Sequence, residues 1–295
     1  MKNVLIIGFG NQGKKRFKII KKLNYNLFVY DPKIKKYSNK NVLGLKYEFI
    51  FLCCSDLFKD YYLEKISIKN YSKLLIEKPL VLNKNNFLKI KNLCKKKKIY
   101  VSYNHIYDEG VAAFISKLKQ KNIYYLDFKY MNGAAINVKL NKWRDKGTGV
   151  IYDLLPHLIH IVLKIGLKVN PKKFYLNIKK NFENKSPDFA SIQLSQKKFI
   201  AKFDTSYISW KNTFILNAYT KYFSIHLNGL KKWGSSLIVI YKRKFPSGIP
   251  NKKEILFTGR DLSFDKETKL FLNNKITTSF NEIDLISKSL AASKF

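Results

Sequence analysis

Four apolar residues, Val4 to Ile7, run directly into Gly8, Gly10 and Gly13 and then into the amphipathic stretch KKRFKIIKKL. A short β-branched and leucine run without alternation reads as a strand buried on both faces of a parallel sheet. The stretch after the glycines reads as a helix. Strand, G-x-G-x-x-G and helix in that order give each glycine a task. The first permits a tight turn, the second lets backbone approach a pyrophosphate, and the third lets helix pack close to strand. The pyrophosphate would sit on the helix N-terminus. The loop residues Phe9, Asn11 and Gln12 would then line the dinucleotide with Gly8, Gly10 and Gly13.

The next strand, NLFVYD, ends at Asp31. An acidic residue about 20 positions past the glycines binds ribose hydroxyls and repels a 2′-phosphate, which favours NAD. Lys33, Lys35 and Lys36 follow closely and leave NADP possible. Asp31-Pro32 also suits a plain turn. EFIFLCCSD reads as a third buried strand ending at Ser55, and KLLIEKPLVL as a fourth with Glu77, Lys78 and Pro79 at its end. Ligands of open α/β sheets lie beyond the carboxyl ends of strands, so Cys54, Ser55, Glu77 and Lys78 fall near the cofactor. A solvated ion pair is the plainer reading of Glu77-Lys78.

The segment GTGVIYDLLPHLIH, 147–160, holds Asp153, His157 and His160 in a chain with four histidines. At helical spacing these three share one face. A buried polar pair in a core would explain them, and so would a catalytic wall. Pro156 stands where it can kink the helix. No metal site is expected, since no further ligand accompanies the three.

Charge adds little about partners. The chain has 57 Lys and Arg against 20 Asp and Glu, a net +37. The lysines are spread over its whole length and arginine is scarce, which weighs against a nucleic-acid binder. The run from Val150 to Leu167 is the nearest thing to a membrane span, but it carries Asp153, His157, His160 and Lys164, so no membrane partner is expected. Three cysteines without metal or disulfide spacing, and no signal peptide, fit the cytoplasm.

The motifs GFGNQG, IEKP at 76–79, SYNHIYDEG at 102–110, NKWRDKGTGVIYDLLPH, SWKNTF, KKWG and FPSGIP, in this order, resemble the glucose–fructose oxidoreductase, inositol dehydrogenase and MocA family. The central block and the later KKWG and FPSGIP resemble a branch linked to surface-polysaccharide or sugar-nucleotide pathways. The resemblance implies an α/β protein of two domains: an N-terminal Rossmann dinucleotide-binding domain over 1–102, and a C-terminal α/β domain with a large open, mostly antiparallel sheet over 103–295. β-Rich segments such as IYYLDFKYM, KKFIAKFDTSYISW and TFILNAYT agree with the latter, and a helix is expected from about Asn281. The family match makes Lys78 the lysine beside nicotinamide and the reacting carbon, and Asp153 and His157 the pair that reaches the substrate. Asn104 and His105 match positions bordering nicotinamide and substrate. Trp143 and Arg144 resemble a loop that covers the sugar.

The implied activity is NAD-dependent hydride transfer at a hydroxyl carbon of a sugar or nucleotide sugar, in a dimer or tetramer assembled through the C-terminal sheet. A glycoside-cleaving enzyme that uses NAD transiently, and a non-catalytic NAD or sugar sensor, are the alternatives on the same fold. His160, Ile106 and Leu155 depart from the family pattern and bear on which sugar is taken.

Overall fold

The computed structural model describes residues 1–66, 71–78, 80, 84–95, 99–119, 121–140, 145, 147, 149–246, 248–276 and 280–291. The chain divides into two compact units: Met1–Asn104 with Leu262–Asp284, and His105–Asp261 with Leu285–Phe295.

In the first unit, strands β1 (Lys2–Ile7), β2 (Tyr25–Tyr30), β3 (Tyr47–Leu52), β4 (Tyr71–Glu77) and β5 (Ile99–Ser102) form one sheet in the order β2-β1-β3-β4-β5. Every pairing is parallel. The uniform apolar runs are explained by burial on both faces: Val4 to Ile7 and Leu74 to Ile76 are wholly inaccessible. Helix α1 (Asn11–Ile20) lies between β1 and β2, α2 (Asp56–Lys65) between β3 and β4, and α3 (Lys84–Lys95) between β4 and β5. The third strand stops at Leu52, short of the expected Ser55, because Ser55 already serves as the N-cap residue of α2.

In the second unit, β6 (Ile123–Met131), β7 (Phe174–Lys180), β8 (Pro187–Ser195), β9 (Ile200–Ser206), β10 (Thr213–Thr220), β11 (Phe223–Asn228), β12 (Ser236–Lys242) and β13 (Asn251–Phe257) make an eight-stranded sheet in the order β13-β12-β11-β10-β6-β9-β8-β7. Only the β6–β9 pairing is parallel. Alternation is clear here: Leu126, Phe128 and Tyr130 are buried, while Tyr125, Asp127 and Lys129 between them are half-exposed. Helices α4 (Glu109–Leu118), α5 (Ala135–Leu140), α6 (Gly149–Asp153) and α7 (Leu155–Ile165) belong to this unit, and α7 packs on β6 and β9.

Two expectations need correction. The continuous second domain over 103–295 is interrupted, because helix α8 (Ser263–Leu272) returns to the first unit. Its Phe271 ring meets Phe49, Phe51 and Tyr100 at 5.4, 4.9 and 5.9 Å, so the helix buries its apolar face there. A last helix, α9 (Phe280–Ala291), follows it. The helix expected to carry Asp153, His157 and His160 on one face is broken at Leu154, which separates α6 from α7. Pro156 lies in the first turn of α7, where its missing N–H costs nothing, whereas inside a continuous helix its ring would strike the carbonyl four residues back.

Candidate active site in two parts

The first part is the glycine turn. Gly8 has φ +90°, and a Cβ there would lie 2.7 Å from the Cys54 amide nitrogen. A Cβ on Gly13 would lie 2.0 Å from the Gly8 carbonyl oxygen. Gly10, the N-cap residue of α1, faces open space instead, and no side chain caps that helix. Two glycines are thus required by the protein's own packing. The third leaves a cradle beside a helix N-terminus, which is the shape and polarity that a pyrophosphate fits. Gly13→Ala is therefore expected to destabilise the chain by about 1–3 kcal/mol. Gly10→Ala should leave stability within about 0.5 kcal/mol and weaken dinucleotide binding. Thermal melts paired with nucleotide titrations separate the two effects.

Asp31 is tied to this turn. Its Oδ2 accepts from the Phe9 amide at 2.7 Å and its Oδ1 from the Lys33 amide at 2.9 Å. The Phe9 ring packs on Tyr37 and Phe17, with centroids 4.8 and 5.3 Å apart. Asn11 and Gln12 open α1. Cys54 presses on Gly8, and burial pushes its thiol up to about 12, so it is an inert neighbour. Beyond it, the Lys59 ammonium is fully buried and donates to Asp56 at 2.6 Å.

Glu77 points inward. Its Oε1 accepts from Arg16 Nε at 3.2 Å and Nη2 at 2.9 Å. Arg16 also donates to Ser102 Oγ at 2.9 Å, to Thr268 Oγ1 at 2.7 Å and to Glu267. Asn104 donates through its side-chain amide to Ser263 at 3.0 Å. Lys78 follows Glu77 at the carboxyl end of β4 and is partly buried.

The second part lies in the other unit. His105 and His157 stack, with ring centroids 3.8 Å apart and 21° between planes. Two protonated imidazoles at that spacing would repel by roughly 4 kcal/mol at an effective dielectric constant of 20. His105 Nε2 is 3.1 Å from the Tyr130 hydroxyl, and that hydroxyl accepts from Lys232 Nζ at 2.6 Å. Lys232 also lies over the Tyr130 and Trp233 rings, 4.9 and 4.3 Å from their centroids. Burial, with the nearby Asp153 charge, raises the Tyr130 phenol above its ordinary range, so it stays protonated. The Tyr207 hydroxyl donates to Asp153 Oδ2 at 2.9 Å. Asp153 is half-buried, His157 is buried, and His160 is wholly inaccessible.

The structure thus gathers His105 and His157 with Tyr130 and Lys232 in one unit, and the glycine turn with Asp31 and Cys54 in the other. Lys78 belongs to the first unit; Asp153 and His157 belong to the second. Trp143, Arg144 and Pro79 lie outside the described residues. Among the described residues, no group of three or more His, Cys, Asp or Glu could hold a metal ion, and no helix is long and apolar enough to cross a membrane. Sequence reasoning missed Arg16, Glu267, Tyr130, Tyr207 and Lys232. The one available signal was Lys232 and Trp233 within KKWG.

No protein-family model and no curated protein matches the sequence. Solved structures do. A UDP-N-acetylglucosamine 3-dehydrogenase from Acidithiobacillus ferrooxidans superposes with a TM-score of 0.77 at 13% identity, over 99% of this chain and 95% of that one. An oxidoreductase from Agrobacterium radiobacter, solved with NAD+, L-tartaric acid and magnesium, superposes with a TM-score of 0.74 at 14% identity, over 99% and 97%. From end to end, the chain has the fold of these oxidoreductases.

Proposed function

We propose that the protein is an NAD-dependent oxidoreductase that moves a hydride between nicotinamide and a hydroxyl carbon of a sugar or nucleotide sugar. The observation that carries this reading is the glycine turn: packing demands Gly8 and Gly13, Gly10 leaves the cradle open, and Asp31 is bonded to the loop through Phe9. The similarity to a UDP-N-acetylglucosamine 3-dehydrogenase and to an NAD+-bound oxidoreductase supports it.

In this reading NAD, held by the α1 N-terminus and by Asp31, supplies the hydride acceptor. The chain supplies geometry and charge. His157 removes the hydroxyl proton, a task suited to imidazole near neutral pH. Asp153, held by Tyr207, orients the sugar hydroxyl or the imidazole. The Lys78 ammonium stabilises the developing alkoxide.

Titration of purified protein with NAD, NADH, NADP and NADPH tests the cofactor half. We expect NAD to bind at least about tenfold more tightly than NADP, roughly 1.4 kcal/mol. Asp31→Asn should erase that preference, because the carboxylate charge is what repels a 2′-phosphate. Absence of binding by all four would remove the dehydrogenase reading. UDP-sugars are the first substrates to screen for NADH formation.

A further inference from the structure

We propose that Tyr130 and Lys232 are positioning residues that hold His105 as its neutral Nδ1–H tautomer, and so leave His157 as the member of the stacked pair that takes up the proton. The inference deepens the role given to His157 and rests on that reading.

The direction of each hydrogen bond decides it. An ammonium can only donate, so Lys232 Nζ gives a hydrogen to the Tyr130 oxygen at 2.6 Å. The phenol keeps its own hydrogen and is buried, with 4% of its surface accessible. That hydrogen needs an acceptor, since a buried donor left without one is costly. His105 Nε2, at 3.1 Å, is where it goes. Were Nε2 protonated instead, two donors would face one phenol oxygen already taking the lysine hydrogen, and the phenolic hydrogen would have no acceptor. Nε2 therefore accepts, and the His105 proton sits on Nδ1.

Charge points the same way. His105 faces Tyr130 and His157, with the Lys232 ammonium one bond further along the chain and the Asp153 carboxylate near the phenol. A cation on His105 would repel both the ammonium and a protonated His157. A neutral His105 ring stacked on His157 offers its π face to an imidazolium, which favours a proton on His157.

The chain has four histidines, so side-chain nitrogens can be followed individually by long-range proton–nitrogen NMR on the labelled full-length protein. His105→Gln assigns the signal by its loss. The expected result is one imidazole that keeps nitrogen shifts of a neutral Nδ1–H ring, with Nε2 in the unprotonated range, from about pH 6 to 8. Tyr130→Phe should convert that signal to the other tautomer or to an exchange average. Lys232→Met should do so in part, because the phenol regains freedom to turn. His157→Gln should leave it in place. If His105 carries its proton on Nε2, or keeps its tautomer in Tyr130→Phe, the proposal falls. If Tyr130→Phe lowers the melting temperature without moving the tautomer, Tyr130 is packing alone and the proposal falls too. Failure of His157 as the base would appear separately, as unchanged turnover in His157→Gln with the His105 signature intact.

Discussion

Lys78→Ala is expected to lower kcat by roughly 10²–10³-fold, the usual loss when one donor to a developing oxyanion is removed. NAD affinity should stay within about threefold, because the proposed reading gives the pyrophosphate and ribose contacts to the glycine turn and Asp31 rather than to this side chain. Stability should change by no more than about 1 kcal/mol. The reason is local. Lys78 comes directly after β4, whose Leu74, Leu75 and Ile76 are inaccessible and whose Glu77 is clasped by Arg16. The backbone that presents Lys78 is therefore fixed by its neighbours and survives loss of the side chain. Lys78→Arg keeps the charge but spreads it over a wider planar group, so it should recover only part of the rate. Steady-state kinetics on a substrate found by the UDP-sugar screen, with NAD titrations of each variant, read the two effects apart. Near-normal turnover in Lys78→Ala would take the lysine out of the mechanism.

What the sequence made legible was mostly local. Strand β1, the glycine turn, α1 and β2 lie within thirty positions, and each carries its own signal: an apolar run, turn glycines, helical spacing, a terminal aspartate. Pro156 was legible as a place where the helix could kink, because proline acts on its immediate neighbours, but the full break at Leu154 was not. What stayed hidden is non-local. Arg16 meets Glu267 and Thr268 across 251 and 252 positions, and Tyr130 meets Lys232 across 102. SFDKETKLFL reads as an ordinary amphipathic helix, and nothing in it says that its polar face will be buried against the first unit.

Arg16→Met should accordingly destabilise the protein by about 3–5 kcal/mol at pH 7, the cost of leaving buried charge without its partner. Arg16 has no accessible surface, and its guanidinium lies 4.3 Å from the Phe264 ring centroid. Burial works against its charge, but Glu267 and Glu77 more than offset that and hold it above its ordinary value. Glu267 is displaced as well: burial raises its carboxyl above the ordinary 4.5, with Arg16 pulling the other way. A raised folded-state pKa means that the folded form binds the proton more tightly than the unfolded one. The contribution of Glu267 is thus fully present below 4.5 and is lost as pH rises through the raised value. Removing the guanidinium removes the opposing pull, so the loss in Arg16→Met should be largest near pH 7 and shrink as the medium is made more acid. Glu267→Gln in the Arg16→Met background should recover part of it, since one of the stranded charges is gone, while Arg16→Lys should fall between, because an ammonium cannot reach Glu77, Ser102, Glu267 and Thr268 from one plane. Urea unfolding of the four proteins at pH 7 and pH 5 measures each term. Equal losses at both pH values would mean that the cluster stabilises by packing alone. A pH-dependent loss relieved by Glu267→Gln would mean that a buried charge balance fastens α8 to the strand that carries Glu77 and Lys78.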